Sequence, residues 1–87
     1  MSILVQNEPL AYDIKFNDNE LIVFLKDGRS LYIPLVWYPS LLNATKKELE
    51  NFIILGDGEG IHWIDLDEDL SINGFIQGIS LQEKQVA

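Results

Sequence analysis

Two turn signals, Asn17-Asp18-Asn19 and Asp27-Gly28, bracket the apolar run "ELIVFLK", and that spacing constrains the fold more than any other feature. Asn and Asp tolerate positive φ and bond their own backbone, so the first signal is turn chemistry. Asp-Gly is a two-residue hairpin signal, because a type I′ turn needs two residues that accept φ > 0. Between them "ELIVFLK" is apolar on both faces and reads as a centrally placed strand. Ahead of it, "LAYDIKF" alternates: Leu10, Tyr12, Ile14 and Phe16 share one face, with Ala11, Asp13 and Lys15 on the other. A period of two means a strand with one wet side. After it, "RSLYIPL" is the third strand, and Pro34, with no N–H to donate, belongs at its end or on an edge. The three segments predict an antiparallel meander.

Downstream, Pro34, Trp37, Tyr38 and Pro39 mark an irregular, aromatic-rich crossing from Leu35 to Ala44. Thr45 and Glu48 then have capping-box spacing, each side chain taking a backbone amide of the other. Leu49, Phe52 and Ile53 recur at helical spacing, which predicts a short helix from about Lys46 to Phe52. "FIILGDGEGIHWI" reads as two short apolar runs around a Gly-rich loop, giving one or two further strands. In "DLDEDLSINGF", Glu68 and Asp69 fall at the start of a last helix, where exposed amides favour negative charge. Ser71 caps it, Ile72, Phe75 and Ile76 face inward, and Gly78 stops it. The expected architecture is therefore α+β. A three-stranded antiparallel meander is followed by a short helix, one or two short strands and a short C-terminal helix packed on the sheet.

Eighty-seven residues have room for one core, expected over about residues 9–78, with a frayed tail at 79–87. The chain has no cysteine, which excludes disulfides and thiolate zinc sites. It shows neither a secretory signal pattern nor an apolar run long enough to span a bilayer, so a cytoplasmic location is expected. Fourteen acids against six bases leave a net charge of −8, which opposes nucleic-acid binding and favours a basic partner.

The chemistry-bearing residues concentrate in "GIHWIDLDEDLSINGF", Gly60 to Phe75. Asp65, Asp67 and Asp69 alternate like the start of a calcium loop. An EF-hand, however, needs Gly and Glu where this chain has Leu70 and Ile76. A looser metal or small-ligand site could use His62, Asp65 and Asp67, although a lone His is a poor start for a transition metal. No nucleophile motif surrounds any Ser, and "GDGEG" lacks the Lys-Ser/Thr of a phosphate loop. A non-enzymatic chain with no cofactor is expected. Trp63, Trp37 and Tyr38 are either core aromatics or, beside the acids Asp65, Asp67 and Glu68, an exposed hot spot for a partner. Solvent, backbone amides, Arg29 or a partner's cation could offset the repulsion among those acids.

The motifs "DGRSLYIPL", "YPSLLNAT" and "GDGEGIHWIDLDEDLSINGFIQG" resemble the prokaryotic family called domain of unknown function 2442. Asp27, Gly28, Arg29, Pro34, Leu35, Tyr38, Pro39, Leu41, Gly60, Ile61, His62, Trp63, Asp67, Glu68, Asp69, Ser71 and Gly74 carry the resemblance, which spans about Tyr12 to Gly78. Ile64 and Ser40 depart from it: the family commonly has Pro or a small residue after the Trp, and often Arg in place of the Ser. The resemblance implies an α+β fold with no established catalytic activity. It also implies a gene pairing with another small protein, in an arrangement similar to toxin–antitoxin units. The expected function is a protein-interaction module, antitoxin-like, for a small basic partner. Self-association through an exposed sheet edge is a further reading.

Overall fold

The computed structural model describes residues 9–77 and places β2 (Glu20–Leu25) between β1 (Ala11–Phe16) and β3 (Ser30–Pro34), all antiparallel. Leu21, Val23 and Leu25 are buried on one face of β2, and Ile22 and Phe24 are half-buried on the other. A strand apolar on both sides is best shielded in the middle. Asn17 makes the first turn: its Oδ1 accepts from the N–H groups of Asn19 (2.8 Å) and Glu20 (2.7 Å). Pro34 ends β3, on an edge strand, where its missing N–H costs no ladder bond.

Two local expectations are corrected here. The register steps from Ala11↔Leu25 to Asp13↔Phe24, so Tyr12 is an extra residue in a β-bulge. The bulge turns Ala11 inward and Tyr12 out to solvent, while Ile14 and Phe16 keep the inner face. The second hairpin forms, but around Lys26, Asp27 and Gly28 rather than two residues. Gly28 N–H donates to the Leu25 carbonyl (3.0 Å), Leu25 N–H to that of Arg29 (2.8 Å), and only Gly28 takes positive φ.

The crossing after β3 is more regular than expected. A 3₁₀ turn (Leu35–Trp37) leads into α1 (Pro39–Leu42), with Pro39 at the first helical position, where a missing N–H is harmless. The capping box then opens α2 (Lys46–Glu50): Thr45 Oγ1 accepts from Glu48 N–H (3.1 Å) and Glu48 Oε1 from Thr45 N–H (2.9 Å). The helix stops short of the expected Phe52, because Phe52 and Ile53 belong to β4 (Phe52–Leu55). Ile53 lies exposed there instead of packing with Leu49.

β4 pairs with β5 (Gly60–Trp63), and β5 with β6 (Glu68–Ser71), forming a second three-stranded antiparallel sheet. β6 corrects the view of Glu68 and Asp69 as helix-start acids: they are ladder residues opposite Trp63 and His62. Ser71 does cap α3 (Ile72–Gln77), its Oγ accepting from Gly74 N–H at 2.8 Å. Ile72 and Phe75 are buried as expected, but Ile76 is exposed. Gly78 and the expected tail lie outside the described residues.

One apolar cluster joins the sheets: Ile14, Leu21, Val23, Leu25 and Ile33 from the first, and Ile61, Trp63 and Leu70 from the second. Ala11, Leu35, Tyr38, Leu41, Ile72 and Phe75 complete it. Trp63 lies with its ring 6.4 Å from that of Phe16, edge-on, and its indole N–H donates to the Leu49 carbonyl at 3.1 Å. That bond satisfies a fully buried polar atom and ties α2 to the core. The two sheets also meet through backbone, because Ala11 N–H donates to the Gly58 carbonyl (2.8 Å).

Candidate functional site

The structure disperses the expected aromatic and acidic cluster. Trp63 has no exposed surface and Tyr38 is 5% exposed, so neither can be a surface contact for a partner. Their bulk is spent on the core, Tyr38 packing edge-on against Phe75 with centroids 5.7 Å apart. Trp37 is half-buried against the same cluster. Arg29 stands on the β2–β3 turn, where it does not answer the Asp65–Asp69 run but pairs with Asp27 at 2.8 Å. The Arg29 amide and guanidinium together hold the Asp27 carboxyl below its ordinary range.

Asp65 and Asp67 do lie in solvent, on the four-residue turn joining β5 to β6. Their presence has a local cause. Asp67 sits at φ +52, a conformation Asp tolerates better than most residues, and Asp65 accepts from Asn51 Nδ2 at 3.1 Å. Leu66, between them, packs back against the core. Glu68 is drawn inward and accepts from Ser40 Oγ at 2.9 Å. Burial first, and the negative charge of Glu68 second, push the Tyr38 phenol above its ordinary value.

The His62–Asp65–Asp67 arrangement is not assembled. His62 Nδ1 is paired with Asp69 Oδ1, its direct cross-strand neighbour, on the outer face of the second sheet. Asp69 was not among the expected site residues. The signal for it was present, since Leu70 and Ile72 alternate with Asp69 and Ser71 as a strand would. Among the described residues no three His, Asp or Glu side chains converge as metal ligands.

Sequence reading missed the outer face of the first sheet. Because of the bulge, Tyr12 (60% exposed) reaches Phe24, with ring centroids 6.2 Å apart. Ile22 lies opposite Tyr32 (59% exposed) in the β2–β3 ladder. Tyr12, Phe24, Ile22 and Tyr32 thus make a continuous apolar strip across three strands, bordered by Asp13, Lys15 and Glu20. The shift at Tyr12 adds its ring to that face.

A bulged meander joined through its core to a second three-stranded sheet defines a small α+β class of domain, and known proteins share it. Over residues 11–80 the sequence matches the family described as protein of unknown function (DUF2442), and the chain belongs to that family. The structure is similar to that of a protein of unknown function from Rhodospirillum rubrum, with 36% identity and a TM-score of 0.73. That match covers 84% of this chain and 90% of the other. An uncharacterized protein from Chromobacterium violaceum shares the fold at 20% identity, with a TM-score of 0.71 over 88% of this chain and 72% of that one. No curated protein matches the sequence. No helix among the described residues is long and apolar enough to cross a membrane.

Proposed function

We propose that this chain is a non-enzymatic, cytoplasmic protein-interaction module that binds a small basic protein, as an antitoxin-like component of a two-gene unit would. The observation that carries the reading is the strip Tyr12–Phe24–Ile22–Tyr32. It is a continuous set of large apolar side chains on the water-facing side of a strongly acidic chain. Contiguous exposed apolar surface rimmed by polar groups is characteristic of association sites, whereas scattered single residues are not. The net charge of −8 supports a basic partner, and Asp65 and Asp67 add exposed negative charge on the β5–β6 turn.

Co-expression with the product of the neighbouring gene, followed by co-purification at low and high salt, tests the proposal. Stable co-elution that weakens when Asp65 and Asp67 are both changed to Lys, with the fold intact by circular dichroism, is the expected outcome. A neighbour that never co-elutes at either salt concentration would sink it. Tyr32→Ala should weaken the complex without unfolding the chain, since that side chain is mostly in water.

A further inference from the structure

Among the described residues β1 is an edge strand, and its outer edge is sealed over only part of its length. In an antiparallel pair, alternate residues turn their N–H and C=O groups toward the partner strand and the rest turn them away. Asn17 N–H donates to the Glu20 carbonyl (3.0 Å), and that ladder continues through Lys15↔Ile22 and Asp13↔Phe24. Ile14 and Phe16 therefore point their backbone groups away from β2. At the start of the strand, Ala11 N–H is taken by Gly58. At Ile14 the N–H is held by the carboxylate of Asp13, at 2.8 Å, a side chain standing in for a missing strand. Among the described residues no strand pairs with this edge.

Beside the open edge runs a groove of about 620 Å³, within the range of binding clefts. Ile14 and Phe16 form one wall, and Leu49 of α2 and Phe52 of β4 the other. Lys15, Asp18, Lys46 and Glu50 stand at its rim, two of each sign. A backbone edge with outward hydrogen-bonding groups, next to an apolar trough, is the geometry in which an extended segment adds as a further strand. Side chains of an added strand alternate between its two faces. One set would enter the trough against Leu49 and Phe52, and the other would continue the outer face beside Asp13 and Lys15.

We infer that the Ile14–Phe16 edge of β1 is a strand-addition site for an extended segment of a basic partner, a segment that alternates apolar and polar residues. The apolar trough selects the alternation, and the chain's charge of −8 selects the basic character. The incoming strand displaces the Asp13 carboxylate from the Ile14 amide. This inference rests on the interaction reading and gives it a mode of contact.

The test pans the full-length chain against displayed random peptides of about seven residues, roughly strand length. Enriched sequences are then synthesised and followed by amide NMR and hydrogen exchange. Alternating peptides containing Lys or Arg should emerge, shift the amide signals of Ile14 and Phe16, and slow their exchange. Methylating one alternate set of peptide backbone nitrogens should abolish binding, while methylating the other set leaves it, because only one set faces β1. That arm requires no variant of the protein. Leu49→Lys, checked for folding by circular dichroism, should weaken binding at least about tenfold, equivalent to about 1.4 kcal/mol. Val36→Ala, at an exposed position away from both the groove and the Tyr12–Tyr32 strip, should leave it unchanged.

Several outcomes overturn the inference: no enriched peptide, indifference to methylation in both sets, or shifts confined to the Tyr12–Tyr32 face. Strong protection of the Phe16 amide in the chain alone also overturns it, since a terminal segment or a second copy would then hold the edge; the Ile14 amide is already bonded to Asp13 and does not decide this. The neighbouring gene product separates the two ideas. If it binds wild type and Leu49→Lys equally, strand addition falls and the interaction module stands. If it does not bind at all, the interaction reading falls and the peptide experiment decides the edge alone.

Discussion

Replacing Gly58 by Ala tests how the two sheets are joined. Gly58 lies at φ +116, where a side chain is strained, and a Cβ there would sit 2.3 Å from the Ala11 carbonyl oxygen and 2.8 Å from its nitrogen. Those atoms are backbone and cannot rotate aside. Either β1 or the β4–β5 turn must move, breaking the Ala11–Gly58 hydrogen bond. Backbone strain costs about 1–3 kcal/mol, and the lost bond about 1 kcal/mol. Stiffening the unfolded chain returns about 0.4–1 kcal/mol, so the net loss is about 1–3.6 kcal/mol. Gly28→Ala is the control, because Gly28 also has positive φ (+99) but nothing within 4 Å of its absent Cβ. It should lose only about 1 kcal/mol, strain less the same unfolded-state gain. Urea unfolding of both variants, followed by tryptophan fluorescence, gives the two values. Equal losses would refute the close approach of the turn to β1, and with it this account of sheet docking.

Thr45→Ala removes half of the capping box and should cost about 1 kcal/mol, measured in the same unfolding assay. Loss of helix signal before the cooperative transition would show that α2 depends on the cap more than on Trp63. Trp63→Phe keeps an aromatic ring in the core but orphans the Leu49 carbonyl and leaves a void. It should destabilise by about 2–3 kcal/mol, and a loss below about 0.5 kcal/mol would contradict full burial of the indole. Tyr38 makes stability depend on alkaline pH. Its folded pKa is raised, first by burial and then by Glu68, so its contribution is complete below the unfolded value near 10. That contribution is lost as pH rises through the higher folded value. Tyr38→Phe should flatten that decline in stability above pH 10, and an unchanged profile would refute the assignment.

The local chemistry of this chain was legible without coordinates. Asn17, Thr45, Glu48 and Ser71 bond their own neighbours, and such bonds depend only on short spacing. Period two with an apolar run on both faces likewise put β2 in the middle. The site was far less legible. Trp63 and Asp65 are two residues apart, yet one is sealed in the core and the other stands in water. Composition cannot separate a core aromatic from a contact aromatic, because both are selected for size.

Short spacing determined the positions of the turns and caps and the strand periods of this protein, since each follows from residues within one turn or one strand. Pairing between segments decided the rest. The Tyr12 bulge is set by the register against β2, the β6 ladder by β5, and the burial of Trp63 by Phe16, far away in the sequence, and by Leu49. Register and burial are free energies shared between distant segments, so no segment read by itself contains them. The apolar strip and the open edge of β1, where a partner is proposed to bind, both result from that shared register.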